Sequence, residues 1–180
     1  MKKPYAGNVL SPLPVVLVGA NVEGRPNYLV VGYVAPFDFG RSVFFSIFKK
    51  RYTAGGILAN RTFSVNVPSA DLLGRIEICG SKSGRDFDKS TLFETFYGKL
   101  GTAPMIRECP LSMECEVTDL IDREQNLGVI GRVVQSHVDE ELLRDEKTID
   151  MVKANLLVWT VGGDSGYYRL GERIEEPKAS

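Results

Sequence analysis

The stretch LSMECEVTDLIDREQNLGVIGRVVQSHV (residues 111–138) carries two strand-like runs back to back, with only a polar turn between them. In the first run Met113, Cys115 and Val117 alternate with Glu114, Glu116 and Thr118, the period-two pattern of a strand with one apolar and one polar face. IDREQN reads as the turn and LGVIGRVVQSHV as the partner strand. Strands joined this tightly pair antiparallel, because a parallel pair needs a crossover of about a dozen residues or more.

The same reading extends in both directions. LPVVLVG (13–19) is short, β-branched and bounded by turn formers; NVEGRP (21–26) carries a Glu-Gly step suited to a hairpin, and YLVVGYV (28–34) continues as the next strand. APFDFGRS (35–42) reads as a loop with two aromatics, and VFFSIFKK as a third strand, apolar enough for burial on both sides over residues 43–48. TFSVNV (62–67) alternates, with Phe63, Val65 and Val67 on one face and Thr62, Ser64 and Asn66 on the other, until Pro68 ends it. Residues 156–161 and YYRL (167–170) are the last strands, flanking the turn GGDSG. Helices are fewer. Thr53 is placed to cap a short helix to Asn60, although Gly55 and Gly56 are poor helix formers, and Ser69 to cap one through Cys79 with Leu72, Leu73 and Ile76 on one stripe. Residues 139–155 read as helical or irregular, and GERIEEPKAS (171–180) as a frayed end. Six or more closely spaced strands, with helices inserted rather than alternating, exclude a doubly wound sheet. They predict a mainly β protein built on an antiparallel barrel, in which closing the sheet disposes of exposed edges.

The 180 residues have the size of one domain, expected to span 1–180, and 43% apolar with 25% charged residues is ordinary globular composition. A net charge of -1 argues against nonspecific nucleic-acid binding, which draws on a surplus of basic residues. A small phosphorylated ligand needs only a local cluster and stays open. No apolar run reaches the length of about 18 residues that a membrane helix requires. The start, MKKPYAG, is followed by a stretch broken at Pro12 and Pro14 that suits a strand better than a secretory signal. Three cysteines without a CxxC pair fit a reduced, cytoplasmic protein, and a single histidine leaves no multi-histidine metal site.

Two clusters bear on ligand chemistry. KKRYT (49–53) sets three cations before a helix start, where unpaired amides and the helix dipole favour an anion. The glycines at 55 and 56 fit a close backbone approach to a ligand. The alternative is a solvated charge run. SKSGRDFDK (81–89) supplies Ser83, Gly84, Arg85 and Lys89 among Asp86 and Asp88; on its own it reads as a polar surface loop before it reads as a site. The phosphate-loop spacing GxxxxGK[ST] and the dinucleotide fingerprint GxGxxG are both missing. Asp119 and Asp122, beside Arg123 and Glu124, resemble a turn more than a glycosidase carboxylate pair. His137, before an acidic run, reads as a surface or rim residue rather than a catalytic base. Cys79 and Cys115 fall on apolar faces as core residues, and nothing near Cys109 marks it as a nucleophile.

The succession GRPNYLVVGYV, FSIFKKRYTAGGI, FSVNVP, CGSKSGRDFDK, LSMECEV and GVIGRVV resembles the flavin reductase-like family of FMN-binding split barrels, particularly its flavoredoxin-type members. The resemblance runs from about Leu13 to Tyr168. It implies a homodimer of split barrels with FMN in a groove at the interface, and it assigns cofactor contacts residue by residue. Asn27 matches an asparagine beside the flavin. Tyr33 stands where many relatives have serine then tryptophan near the ring. Arg51 and Thr53 match the RYT segment that receives the phosphate, and Asn66 the asparagine of NVP, a ribityl or backbone contact. Ser83, Arg85, Asp88 and Lys89 match the loop whose lysine reaches the phosphate. The two clusters would thus converge on one dianion.

Two positions depart from the family's pattern. Asn126 stands where relatives carry a histidine, and Arg132 where they carry the glutamate of GEV, which reverses the charge there. The activity the resemblance implies is transfer of hydride from NADH or NADPH to flavin, then of electrons to a flavin, a metal complex or a partner protein, with no side chain acting as acid or base. The alternatives are an FMN-holding electron carrier without nicotinamide activity, or a barrel that has lost its flavin. The aromatics Phe37 and Phe39 are expected near the shared groove of the dimer.

Overall fold

A computed structural model describes residues 1–171 and 174. The tail expected to fray falls mostly outside the described residues. The chain forms a seven-stranded antiparallel sheet in the order β3-β2-β6-β9-β10-β5-β4. These strands are β2 (Val16–Val22), β3 (Arg25–Val31), β4 (Val34–Phe37), β5 (Ser42–Phe48), β6 (Thr62–Val67), β9 (Leu111–Asp122) and β10 (Asn126–Val138). Two smaller sheets accompany it: β1 (Leu13–Pro14) with β11 (Leu157–Thr160) and β12 (Gly166–Arg169), and the pair β7 (Thr95–Phe96) with β8 (Met105–Ile106). The β9–β10 pairing lies where the sequence puts it, with Cys115 opposite Val133 and Met113 opposite Ser136. The β2–β3 hairpin turns on Glu23 and Gly24, both at positive φ (52° and 78°), the left-handed pair that a two-residue hairpin requires.

The sheet curls into a barrel. Leu29 and Val31 from one end of the strand order share a cluster with Val43, Phe45 and Ile47 from the other, around Phe63, Val65, Cys115 and Val129. The two ends are not zipped: β3 pairs only with β2 in this sheet, and β5 meets the segment after β3 through Ser46 N donating to Tyr33 O at 3.0 Å. That split positions the site.

A second apolar layer covers the outer face of β2 and β3. Leu17 and Tyr28 pack there with Ile76 and Cys79 of α2 (Leu73–Ser81) and with Phe93, Ile106 and Leu157. This is why VVLV is continuously apolar: its alternate side chains serve two cores. On β5 the expectation of burial on both sides does not hold. Val43, Phe45 and Ile47 point inward, Phe44 is half-buried and Phe48 exposed, because no covering layer is formed on the outer face of this strand by the described residues.

Other local expectations are corrected. The first predicted strand divides, β1 pairing with β11 and β2 with β3 and β6. APFDFGRS is not a loop throughout, since Val34–Phe37 pairs with β5 before a tight turn at Asp38–Gly40. The Ser69 helix begins as a 3-10 turn over Ala70–Leu72, without a side-chain cap, and becomes α2 at Leu73.

Gly56 has a packing reason rather than a ligand-binding one. In α1 (Tyr52–Asn60) a Cβ at Gly56 would come within 2.3 Å of Asn21 O on β2, whereas one at Gly55 meets nothing within 4 Å. Gly56→Ala is therefore expected to cost about 1–3 kcal/mol through overpacking. Gly55→Ala should stabilise by about 0.5–1 kcal/mol through helix propensity. Denaturant melts of the two variants check the pair; equal effects would refute the close-packing account.

Candidate functional site

The split between β3 and β5 opens as a cleft of about 480 Å³. Its walls are largely apolar and come from Leu29 to Tyr33 on one side and from Ser46, Ile47 and Phe48 on the other, with Arg51 and Asn126 at its margin. Tyr33 is mostly exposed along this cleft. Tyr33, Arg51 and Asn126 are thus brought to one place from three elements. The volume falls within the usual range of small-molecule sites, about 300–1,000 Å³.

Leu29 and Arg51 also line a second, polar pocket, so the two spaces adjoin. The segment before α1 contributes Lys50 and Arg51, and the loop after α2 contributes Lys82, Ser83, Gly84, Arg85 and Lys89. Five cationic residues line this pocket, and its lining includes no carboxylate among the described residues. None of the five forms an ion pair with a described residue. The carboxylates in its surroundings are Asp86 and Asp88, which line the adjoining cavity with Arg85 and Lys89. The start of α1 faces it without a side-chain cap, so its first-turn amides add to the positive field.

Lys89 differs from the other four of these cations, which are exposed. It is buried, and its Nζ donates to the main-chain oxygens of Cys79 at 2.7 Å and Tyr28 at 3.0 Å. An ammonium has three protons, which leaves one for the pocket. Burial, with the Arg51 charge adding to it, holds Lys89 below the ordinary lysine range, against the opposing pull of Cys79. Asp88 places the lysine: its carboxylate accepts from Ser90 N at 3.0 Å and Ser90 Oγ at 2.6 Å, capping the 3-10 turn Lys89–Leu92.

Several expected contacts change role. Asp88 faces a neighbouring cavity rather than the cationic pocket. Thr53 is not the helix cap; it sits inside the first turn, buried, and its hydroxyl accepts from Asn27 Nδ2 at 2.7 Å, so these two residues brace each other at the pocket wall. Gly84 is packed tightly, since a Cβ there would lie 2.1 Å from Asn27 Oδ1. Asn66 is not at the site. Fully buried on β6, it donates to Leu17 O and Ser64 Oγ and accepts from Ile106 N and Ser112 Oγ, each at 2.9 Å, which exhausts its side chain. Arg132 lies elsewhere as well, paired with Glu116 at 2.5 Å across β9 and β10. His137 is a half-buried partner of Glu114, Nε2 to Oε1 3.2 Å.

Sequence reasoning missed Lys50, Lys82 and Tyr52 as lining residues. The first two were present as charges in the quoted clusters, but nothing in the spacing says which cations of a run turn inward.

Chemically, the arrangement sets a largely apolar cleft beside a pocket lined by cationic residues. A sequence model of the flavin reductase like domain matches residues 9–163. Among solved structures, the chain is similar to a flavoredoxin from Methanosarcina acetivorans, with 34% identity, 99% of this chain and 96% of that one covered, and a TM-score of 0.92. It is also similar to the flavoredoxin of Desulfovibrio vulgaris (Miyazaki F), with 25% identity, 100% and 99% covered, and a TM-score of 0.88. An FMN-binding protein from Thermus thermophilus follows at 26% identity, with 98% and 97% covered and a TM-score of 0.80.

Proposed function

The chain belongs to the flavin reductase-like family of FMN-binding split barrels, and from that membership we propose that it holds FMN and serves as a flavoredoxin-like electron-transfer protein. The observation that carries this reading is the meeting, at Leu29 and Arg51, of an apolar cleft with a pocket lined by five cationic residues that form no ion pair among the described residues. Residues present fit the cofactor: Lys89, Arg51, Lys50, Lys82 and Arg85 would hold its phosphate, Ser83 and the α1 amides would add donors, and the β3 and β5 walls with Tyr33 and Asn126 would take its ring. Asn27 and Thr53 keep the wall between them in shape. FMN, when bound, supplies the redox chemistry. The protein's part is to bind it, exclude water from one face and hold positive charge near the phosphate.

The likeness to two flavoredoxins favours the carrier. A second reading, an oxidoreductase taking hydride from NADH or NADPH, rests on family membership. The partner set includes a second copy of the chain: Phe37 and the fully exposed Phe39, at a turn with positive φ at 38, 39 and 40, would lie near the groove the two copies share.

The test is direct. Purified protein should be yellow, release FMN rather than FAD on extraction, and scatter light as a dimer. It should accept electrons from a reduced redox protein faster than it oxidises NADH or NADPH. A colourless protein that takes up no added FMN would end the cofactor reading. Rapid NAD(P)H turnover with several acceptors would replace the carrier by the oxidoreductase.

A further inference from the structure

Three of the cationic residues at the pocket rest on aromatic rings at its rim. Lys50 Nζ lies 5.9 Å from the centre of the Phe48 ring, Lys82 Nζ 5.7 Å from that of Phe87, and the Arg85 guanidinium 5.3 Å from that of Tyr52. All three cations are exposed. Arg85 Nη1 also donates to Lys50 O at 3.0 Å, which ties the loop after α2 to the segment before α1. A cation held over a ring keeps its charge but has less conformational freedom left to lose when a partner docks. Phe48 is exposed and also lines the apolar cleft, so this collar of charge reaches the cleft mouth.

The charge exceeds what a cofactor phosphate takes up. The pocket and the adjoining cavity are lined by six cationic side chains, the sixth being Arg25, and by two carboxylates, Asp86 and Asp88, a surplus of four. A bound phosphate brings about two negative charges and leaves about two positive ones over. The whole chain has a net charge of -1, so with this surplus of four the rest of the sequence is negative by five. A separation of charge on that scale orients an incoming charged surface.

Resting on the reading that the cationic pocket takes the cofactor phosphate, we propose that the collar of Lys50, Lys82 and Arg85 is a docking surface for an acidic partner protein, which it seats across the mouth of the cleft. Opposite charge speeds the encounter and fixes its orientation, while the negative remainder of the chain repels an acidic surface from the other faces. Arginine and aromatic rings are also the residues enriched where proteins meet. The collar therefore brings the partner to the apolar cleft, at Phe48 and Arg51, rather than elsewhere on the barrel.

The experiment reads binding rather than turnover. The FMN-loaded full chain is titrated with cytochrome b5, an acidic haem protein, and with cytochrome c, a basic one of similar size. Cytochrome b5 should bind the more tightly, and raising salt from about 20 to about 200 mM should weaken that complex by about tenfold or more. Lys50→Gln combined with Lys82→Gln should cost about fivefold or more in affinity at the lower salt. Lys50→Arg combined with Lys82→Arg keeps both charges and should retain the affinity. Equal affinity for the two haem proteins, or a folded glutamine double variant with the parent's affinity, overturns the collar. Loss of the dimer in that variant also overturns it and gives the face to a second copy, as does tighter binding of a single-stranded oligonucleotide, which gives it to nucleic acid. A chain that takes up no FMN overturns the cofactor reading instead, so the two failures are distinguishable.

Discussion

Replacing Lys89 with alanine is expected to lower FMN affinity by about one to two decades while leaving riboflavin affinity nearly unchanged. The side chain is buried, pinned by two carbonyls and without a carboxylate partner among the described residues. Its charge is therefore already desolvated and aimed before a phosphate arrives. A charge-assisted hydrogen bond of this kind is worth about 1.5–3 kcal/mol, and about 1.4 kcal/mol is a factor of ten. Riboflavin lacks the phosphate and so isolates anchoring from any general loss of fold. The pH dependence has a definite sign. Because Lys89 is held below the ordinary lysine range, FMN affinity should fall as pH rises through that lowered value, earlier than an exposed lysine would titrate, and riboflavin affinity should stay flat. Equal losses for both flavins in a folded variant would place Lys89 away from the phosphate.

Glu114→Ala is expected to be strongly destabilising, at about 2–4 kcal/mol, because it leaves the Lys99 and Leu100 amides without their acceptor. On alternation alone Glu114 belongs to the polar face of β9. Its side chain is instead fully buried, accepting from Lys99 N at 2.9 Å and Leu100 N at 2.5 Å, with His137 on β10 at 3.2 Å. Gly98 makes the approach possible, since a Cβ there would stand 2.1 Å from Oε1. The carboxylate thus ties the connection between β7 and β8 to the sheet. Burial pushes its pKa up, but the Leu100 and Lys99 amides and the His137 ring together outweigh that and hold it below the usual carboxylate value. A carboxyl whose folded pKa lies below its unfolded one contributes stability that is complete above the unfolded value and disappears as pH falls through the folded value. Denaturant melts from neutral to acid pH should therefore show a steeper acid loss in the parent than in Glu114→Gln. A Glu114→Ala variant within about 1 kcal/mol of the parent would mean the amides find other partners at little cost.

What the sequence determined by itself was everything whose cause is local. The β9–β10 pair, the Glu23-Gly24 turn and the short helix after RYT follow from period, turn chemistry and propensity within a few neighbouring residues. The two basic clusters were legible as charge, and the resemblance joined them. Tertiary structure decided what each side chain does with that placement. Asn66 and Glu114 sit on polar faces of alternating strands, yet both are buried, because residues 95–106 fold over that side of the barrel and bring amides and hydroxyls to meet them. Thr53 braces Asn27 rather than capping its helix because β3 runs directly beside the start of α1. Gly56 answers to the backbone of β2, and Asp88 to Ser90. Lys89 becomes a buried, carbonyl-bound cation only because α2 and β3 deliver the Cys79 and Tyr28 oxygens to one point. Alternation reports which residues share a face. It carries no information about which faces a second layer will cover, and in this barrel that covering layer, set by contacts distant in sequence, separates ligand contacts from internal scaffolding.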